Sequence, residues 1–459
     1  MVLCLFHVRT PSYIYNLANN KFNGEISVEI GERLSTVSLV WLSGNELKGS
    51  IPSSICSREL GLYSNIQYLD LSNNKLSGII PTSIRFCDSL IYLNLATNNF
   101  TGNVPKELEQ ANKLQILQLN DNNFDGTPLH FIGKLHELVV LNLANNNFGG
   151  SISTLSAASL NNLQILSLRS NNFTESIPED LFDLHLLHLL DLSGNNLTGL
   201  IPKKIGNLTM LRSRPSKNRR IKIMLRSRSS YTFSLFRDGG GYPSHLEFQM
   251  TSKGIMMQYE NLHTYNSGID LSSNIFEGEI PKEICLLKEL SMLNLSHNRL
   301  SGNIPLNVGS ITNLESLDLS FNKLSGPIPV SSTSLDFLGY LNLSYNNLSG
   351  RIPRGLHFDT LSEDGSAYVG NSFLCGFPIK NICESNQSSD TSDSNSLDEN
   401  GQNDTRDKWY FYGILALGFI VGFWGLFFGL LMNKETWWFG YWRAVDIVVV
   451  KIVQFFAKD

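Results

Sequence analysis

The sequence lacks the short motifs that mark most nucleotide-dependent and hydrolytic enzymes. It has no Gly-Lys-Ser/Thr phosphate loop, no Gly-x-Ser-x-Gly turn and no His-Glu-x-x-His pair. Its nearest approach to a metal pair is His185-x-x-His188, but both histidines alternate with leucines, so we expect two exposed surface residues. We therefore expect no enzymatic activity, no cofactor and no metal site.

Charge and cysteine are also sparse. The net charge is −5 over 459 residues, so the chain has no general nucleic-acid signature.

Residues 1–8 are apolar but lack a basic leader and a small-residue cleavage site. Repeat-like sequence begins by Tyr15 without an N-terminal cysteine cap, and a repeat array that starts without a cap would expose its core. We therefore expect the product of a truncated gene or gene model.

The chain does contain one strong internal period. The pattern Asn-x-Leu/Phe-x-Gly-x-Ile-Pro recurs at 24 or 25 residues over most of its length, with one spacing of 29 and one of 79. A fixed period in this range predicts a solenoid. The asparagines that anchor the repeats are Asn20, Asn45, Asn74, Asn98, Asn122, Asn146, Asn171, Asn195, Asn274, Asn298, Asn322 and Asn346.

The spacing inside one repeat has a physical interpretation. Leu69 and Leu71 alternate with Asp70, which predicts a short strand with one buried face. The following Asn74 lies where the chain turns inward, and a buried polar side chain must be hydrogen-bonded. We expect each such Asn to bond the backbone of its own coil and the next, forming a ladder. Glycine then permits a tight bend, and proline ends regular pairing.

This pattern resembles the leucine-rich repeat, and its Gly-x-Ile-Pro half resembles the plant-specific class over roughly residues 14–383. The resemblance implies a second short strand per repeat and an α/β solenoid, a curved superhelix with a parallel sheet on its concave face. The predicted segments are 1–211 (about eight repeats, no N-terminal cap), 212–265 (non-repeat insertion with a basic run), 266–355 (four repeats), 356–383 (C-terminal cap), 384–408 (acidic flexible linker), 409–433 (transmembrane helix) and 434–459 (short cytosolic tail).

Six cysteines are present. Cys56 and Cys87 lie in successive repeats on the side away from the strands and are positioned to pair. Cys285 is interpreted as a buried free thiol, and Cys4 has no evident partner. Cys375 and Cys383 follow the last repeat and resemble the paired-cysteine cap of plant leucine-rich-repeat ectodomains, which implies a disulfide in an oxidising compartment.

Residues 409–433 carry no charge and are long enough to span a membrane. Acidic residues precede the segment and Lys434 follows it, which favours an N-terminus outside the cell. Four glycines at i, i+4, i+7 and i+11 fall on one helical face, where another helix could approach closely. They are Gly418, Gly422, Gly425 and Gly429.

All nine Asn-x-Ser/Thr sequons precede this segment, which suits a glycosylated extracellular region. They are Asn99, Asn172, Asn196, Asn207, Asn294, Asn342, Asn347, Asn386 and Asn403. Asn294 and Asn342 are expected in mid-strand, where glycans could mask the ligand face. The predicted exposed ligand-binding positions, which flank the buried leucines on the concave face, are Tyr92, Gln118, Asp121, Arg169, His297, Phe321 and Tyr345.

The order of repeats, insertion, four further repeats, paired-cysteine cap, linker, span and short tail resembles plant leucine-rich-repeat receptor-like proteins without a kinase domain. Residues 409–424 resemble the subgroup that includes receptors for a fungal ethylene-inducing xylanase. The resemblance implies a plasma-membrane receptor of single-pass type I that binds a protein or peptide ligand in plant defence. Its partners would be a receptor-kinase adaptor and a co-receptor kinase. The alternatives are a developmental peptide co-receptor, a membrane-anchored inhibitor of microbial wall-degrading enzymes, and a non-functional truncated fragment.

Overall fold

The Leu-x-Leu alternation builds one three-residue strand in each repeat, and these strands form a parallel sheet of twelve. The computed structural model describes residues 14–29, 37–56, 65–155, 158–213, 224–226, 232–234, 248–252, 255–259 and 267–383. The strands of this long sheet are β1 (Ile14–Asn16), β3 (Leu39–Trp41), β5 (Tyr68–Asp70), β7 (Tyr92–Asn94), β9 (Ile116–Gln118), β11 (Val140–Asn142), β13 (Ile165–Ser167), β15 (Leu189–Asp191), β21 (Gly268–Asp270), β23 (Met292–Asn294), β25 (Ser316–Asp318) and β27 (Tyr340–Asn342).

A second strand follows the inward turn of each repeat, which confirms the prediction of two strands per repeat. These strands form two further parallel sheets, one of five strands and one of eight. The first contains β2 (Asn23–Glu25), β4 (Glu46–Gly49), β6 (Lys75–Gly78), β8 (Asn99–Asn103) and β10 (Asn123–Asp125). The second contains β12 (Gly149–Ser151), β14 (Asn172–Glu175), β16 (Asn196–Leu200), β22 (Ile275–Glu279), β24 (Arg299–Asn303), β26 (Lys323–Gly326), β28 (Asn347–Arg351) and β29 (Phe373–Cys375).

The described residues contain few helices, so the predicted α/β class is corrected to a parallel β solenoid. In most coils the short segment between the repeat proline and the next leucine forms one turn of 3₁₀-helix. The α-helices in the described part are α1 (Leu129–Ile132) and α2 (Thr209–Arg212). The 3₁₀-helices are Ser53–Cys56, Thr82–Phe86, Lys106–Gln110, Ile152–Thr154, Glu179–Asp183, Lys203–Asn207, Lys282–Leu286, Val308–Ser310, Val330–Ser334, Phe358–Thr360 and Ser366–Tyr368.

One continuous hydrophobic core runs through the stack. The middle residue of each long-sheet strand points into it, as Leu117 does in β9. A spine of fully buried phenylalanines lies two residues after the ladder asparagines. Phe124 stacks between Phe100 and Phe148, with ring centroids 5.8 and 5.9 Å apart. Each coil therefore completes its core only with its neighbours, as expected of a repeat protein.

The predicted asparagine ladder is present, and Asn146 shows its geometry. Its Nδ2 donates to the carbonyl oxygens of Leu143 and Ala144 in its own coil and of Leu119 in the preceding coil, at 3.2, 3.1 and 2.9 Å. Its Oδ1 accepts from the backbone N–H of Phe124, also in the preceding coil, at 3.0 Å. The neighbour bonded is thus the preceding coil rather than the next one. Each ladder asparagine satisfies backbone groups that the turn would leave buried and unpaired.

The long sheet continues across the insertion. Strand β15 pairs directly with β21, so Asp191 lies beside Asp270. The ladder continues too, because Asn274 donates to the carbonyl oxygen of Leu192 at 3.0 Å. Within the insertion the structure describes two antiparallel pairs: β17 (Met224–Arg226) with β18 (Thr232–Ser234), and β19 (Phe248–Ser252) with β20 (Ile255–Tyr259).

Two disulfides lie in the described part of the chain. Cys56 is bonded to Cys87, which links adjacent 3₁₀ segments, and Cys375 is bonded to Cys383 beyond the last repeat. Cys285 is a buried free thiol, and burial raises its pKa to about 11. Cys4 lies outside the described residues.

The chain divides into two units, Met1–Glu384 and Ser385–Asp459, and every described residue belongs to the first. Over the ranges that the structure describes, no helix combines the length and the apolar character needed to cross a membrane. The predicted linker, transmembrane helix and tail (384–459) lie outside the described residues, as do Gly418, Gly422, Gly425 and Gly429.

Candidate functional site

The long sheet has two faces, and only one packs on the leucine core. Because side chains alternate along a strand, the first and third residues of each strand lie opposite the core leucines. We call this side the outward face. Parallel, in-register pairing aligns its side chains into a first row and a third row across the twelve strands. For example, Tyr92 lies beside Ile116 in the first row, and Asn94 lies beside Gln118 in the third.

The first row is mainly apolar and forms a cluster of its own, separate from the leucine core. Its rings pack face to face at one end, where the centroids of Tyr68 and Tyr92 lie 3.8 Å apart at an interplanar angle of 6°. Its first-row members are Tyr68, Tyr92, Ile116, Val140, Ile165, Leu189 and Met292, and the cluster also contains Trp41 at the end of β3 and Ile91 just before β7. All of these side chains are buried.

Two predicted ligand contacts are therefore corrected. Tyr92 and Gln118 are each only 2% exposed, although the sequence predicts exposed positions. Tyr92 is covered by its row neighbours, and its hydroxyl donates to Gln118 Oε1 at 3.3 Å. Burial raises the pKa of Tyr92 well above its ordinary value. These residues stabilise the sheet and offer little surface to a ligand.

Apart from Trp41, the third row is polar, and in most coils its side chain holds the turn that follows the strand. In Asp318, for example, Oδ1 accepts from the backbone N–H of Ser320 at 3.0 Å and from its hydroxyl at 2.6 Å. Asparagine does the same in other coils, as Asn94 Oδ1 accepts from the N–H of Ala96. Side-chain bonds to the backbone two residues on are typical of Asx turns. The row members with such a bond are Asp70, Asn94, Asn142, Asp191, Asp270, Asn294, Asp318 and Asn342.

Two neighbouring carboxyl groups of this row are fully buried. Burial raises the pKa of Asp191 to about 6, against the opposing pull of Ser193 and Arg169. Burial and the adjacent Asp191 raise the pKa of Asp270 to about 7. The pair thus carries negative charge at a site where charge is poorly solvated.

The stability of the fold should depend on pH through Asp270. Its folded-state pKa lies above the ordinary 3.8, so the folded chain binds this proton more tightly than the unfolded chain. The contribution is fully present below pH 3.8 and is lost as pH rises to about 7. We expect wild type to lose on the order of 4 kcal/mol relative to Asp270→Asn over this window. Urea unfolding at a series of pH values measures the difference, and parallel stability curves would contradict it.

The residue just before each ladder asparagine forms a third line of side chains, which we call the turn row. It adopts the left-handed conformation in coil after coil, with φ between 51° and 57° at its non-glycine positions from Asn19 to Tyr345. Asp121, His297, Phe321 and Tyr345 all belong to this row, although the sequence predicts strand positions for them. Glycine, asparagine and aspartate tolerate this conformation, whereas bulky residues rarely adopt it.

Three successive members of the turn row are aromatic and exposed. The centroids of His297 and Phe321 lie 4.3 Å apart, and Phe321 and Tyr345 repeat the same spacing. Phe321 is 42% exposed and Tyr345 is 50% exposed. The row continues at Gly370, where an added Cβ would lie 2.8 Å from Tyr345 Cδ1. Glycine there leaves the outer face of Tyr345 without a side chain. We call His297, Phe321 and Tyr345 the aromatic ladder.

The two charged members of the predicted ligand set lie in the middle coils. Asp121 is half-buried and accepts from Asn120 Nδ2 at 2.7 Å and from Asn145 Nδ2 at 2.6 Å. Arg169 is half-buried two residues after β13, and its positive charge lowers the pKa of Asp191. The seven predicted residues thus do not form one surface. The exposed part of the set is the aromatic ladder.

The sequence predicts that both histidines of His185-x-x-His188 are exposed, and this is wrong for His188. His185 is exposed, but His188 is 2% exposed and burial lowers its pKa to about 4. No group of three or more His, Cys, Asp or Glu side chains within the described ranges is arranged to hold a metal ion.

The sequons differ in exposure. Asn294 is corrected as a glycan site, because it is 6% exposed and its Nδ2 donates to Asp270 Oδ2 at 3.2 Å. Asn342 is half-buried, and Asn386 and Asn403 lie outside the described residues. The exposed sequon asparagines are Asn99, Asn172, Asn196, Asn207 and Asn347.

Comparison with known proteins supports the repeat assignment. The Leucine Rich Repeat family profile matches residues 65–87, 89–111, 113–135, 162–184, 186–208, 289–311, 313–335 and 337–358. No curated protein sequence matches the chain.

The fold is similar to those of solved plant receptors. The ectodomain of the Arabidopsis receptor kinase HAESA, in complex with an N-terminally extended IDA peptide hormone, is 29% identical with a TM-score of 0.59, over 81% of this chain and 55% of that one. The plant peptide hormone receptor RGFR1, in complex with RGF2, is 26% identical with a TM-score of 0.57, over 79% of this chain and 50% of that one. In a complex of HAESA with IDA and the co-receptor SERK1, the matched chain is 26% identical with a TM-score of 0.53, over 80% of this chain and 63% of that one.

The chain thus spans between 50% and 63% of the length of these receptors. It carries leucine-rich repeats in a parallel β solenoid, and it is structurally similar to the ectodomains of plant leucine-rich-repeat receptors.

Proposed function

We propose that the protein is a receptor-like protein that binds a peptide ligand outside the cell, with the aromatic ladder as a principal contact. The observation that carries the proposal is the ladder itself. Phe321 and Tyr345 occupy left-handed turn positions that cost an L-residue roughly 1–2 kcal/mol. Strain of this kind is concentrated at functional sites. Exposed rings in strained positions therefore indicate a binding role rather than a structural one.

The receptor comparisons support a ligand-binding role. The similar structures are receptors described in complex with peptide hormones, and one complex also includes a co-receptor. By that similarity we propose a peptide ligand and a membrane kinase partner for this chain. A role in plant defence, with a pathogen-derived ligand, rests on the sequence resemblance alone.

We further propose a plasma-membrane protein with its repeats outside and residues 409–433 spanning the bilayer. Five exposed sequons support an extracellular repeat region. Treatment of membrane-inserted protein with a peptide N-glycosidase should lower its mass, and Asn294→Gln should leave the mass shift unchanged. A band that does not shift would contradict this orientation.

By similarity to the receptor complex that includes a co-receptor, we propose that the signal passes to a membrane partner. We propose that Gly418, Gly422, Gly425 and Gly429 form the contact with a receptor-kinase adaptor, since small residues let helices pack closely in lipid. Replacing all four glycines with leucine tests this contact. Co-purification of the kinase should be lost, whereas membrane insertion should be unchanged.

The receptor role itself can be tested with a library of random peptides. The full chain in detergent is used to select from a random-peptide display library, and selected peptides are resynthesised for calorimetry. We expect peptides that bind with a dissociation constant of about 1 μM or tighter. Selection that yields no peptide above background would contradict a peptide-binding role.

A further inference from the structure

The residue just after each ladder asparagine belongs to a further line of side chains, which we call the flank row. Lys323, for example, follows Asn322, whose Nδ2 donates into the coil to the carbonyl oxygens of Leu295 and Leu319 at 2.9 and 3.2 Å. Phe321 and Lys323 lie on either side of this inward-pointing asparagine, and both are exposed. Two residues of chain span at most about 7 Å, so the flank row runs close beside the turn row.

Flank-row side chains of neighbouring coils reach one another. Lys75 Nζ lies 3.0 Å from Glu46 Oε2, and Asn196 Nδ2 donates to Asn172 Oδ1 at 2.7 Å. At these places the row sets opposite charges, or amides that bond each other, side by side. Such contacts are complete within the fold.

Arg299 and Lys323 differ from these pairs, because two neighbouring coils here both carry a cation. Both side chains are exposed, and neither makes an ion pair or a side-chain hydrogen bond with another residue in the part of the chain that the structure describes. This holds even for Glu277, which pairs in register with Arg299. Like charges that face each other are unfavourable, and an anion between them offsets the repulsion.

The coils with the two cations also carry exposed turn-row rings. His297 and Phe321 each precede the cation of their own coil by two residues. Exposed sequon asparagines occupy the flank row on either side, at Asn196 and Asn347, but not in the three coils between them. Glycans at the proposed sites would therefore leave this part of the row open to a ligand.

We propose that Arg299 and Lys323 bind an acidic side chain of the peptide ligand, next to the part of the peptide that contacts the aromatic ladder. This inference rests on the proposed function, and it adds that the ligand is an acidic peptide. Arg and Lys side chains carry only hydrogen-bond donors, which match the acceptor oxygens of a carboxylate. Because both cations are exposed, a carboxylate reaches them without any rearrangement of the fold.

The test uses peptides selected on the wild-type full chain and resynthesised with amidated C-termini, so that every carboxylate belongs to a side chain. Each Asp or Glu of the peptide is replaced in turn by Asn or Gln. We expect one replacement to weaken binding to wild type about fivefold to tenfold. On the variant Arg299→Gln/Lys323→Gln the same replacement should change affinity by about twofold or less. Lys21→Gln/Lys75→Gln removes two positive charges from distant coils of the same row, and it should leave the wild-type difference intact.

Salt provides an independent measurement, because an exposed charge pair is screened. The Debye length falls from about 8 Å at physiological ionic strength to about 3 Å at 1 M. The effect of the acid-to-amide replacement on wild type should therefore shrink to about twofold at 1 M salt, and at low salt it should appear mainly in the association rate. An effect that is undiminished at 1 M salt would contradict recognition by these exposed cations.

The outcomes separate this inference from the receptor proposal. If selected peptides bind but contain no acidic residue, or if the acid-to-amide effect persists in Arg299→Gln/Lys323→Gln, the inference is overturned and the receptor role stands. If no peptide binds, both proposals fail. Urea unfolding of the double variant confirms that it folds, and loss of the acid-to-amide effect in the folded variant supports the inference.

Discussion

We expect Asn146→Ala to destabilise the solenoid by about 3–5 kcal/mol. The substitution removes all the bonds made by a side chain that is only 8% exposed. It removes the acceptor of the Phe124 N–H, and it takes one of two donors from each of the carbonyl oxygens of Leu119, Leu143 and Ala144. The loss falls between two coils, so it weakens the interface that each repeat needs for stability. Urea unfolding of wild type and variant measures the effect.

Asn147→Ala is the matched control. Asn147 is the next residue and is exposed, so its substitution should change stability by about 0.5 kcal/mol or less. Equal effects of the two substitutions would contradict the ladder as the source of the stability between coils.

The second large effect concerns binding. We expect Phe321→Gly to weaken a selected peptide at least about 30-fold while changing stability by about 1 kcal/mol or less. Glycine relieves the strain of the left-handed turn, roughly 1–2 kcal/mol, and this offsets the ring stacking that is lost, roughly 0.5–1.5 kcal/mol per pair. If Phe321 served stability instead, the substitution would lower stability strongly and leave peptide affinity nearly unchanged. Calorimetry of binding and urea unfolding on the same protein measure both quantities.

Phe337→Ala provides the control. Phe337 is 67% exposed but lies outside the turn row, so its removal should leave peptide affinity within about twofold of wild type. Equal losses at Phe321 and Phe337 would indicate nonspecific apolar binding. A marked loss of stability in Phe321→Gly would show that the aromatic ladder supports the fold.

The repeat architecture could be predicted because the residue spacing within one repeat specifies the geometry of that repeat. The alternation around Leu93 specifies a strand, and the spacing from Leu95 to Asn98 places the ladder. Repetition then specifies the register, since each strand copies its neighbour. The helical content is lower than the predicted α/β class implies, because most of the described connections hold only one 3₁₀ turn.

The candidate site was less predictable, for two physical reasons. Burial of Tyr92 depends on Tyr68, which is 24 positions earlier in sequence but adjacent in space. The left-handed turn row cannot be read from His297, Phe321 or Tyr345, because such residues rarely adopt it. A signal was present in other coils, where Gly44 and Asn73 occupy the same position with φ of 66° and 51°. Alignment of the repeats against one another would have revealed it.

Photo-crosslinking tests the central claim most directly. A selected peptide carrying a diazirine side chain is bound to the full chain, irradiated, and mapped by mass spectrometry. The account predicts crosslinks at His297, Phe321 and Tyr345 and on the adjacent third row around Asp318. Crosslinks confined to the sheets on the other side of the coils, such as β14 or β24, would contradict it.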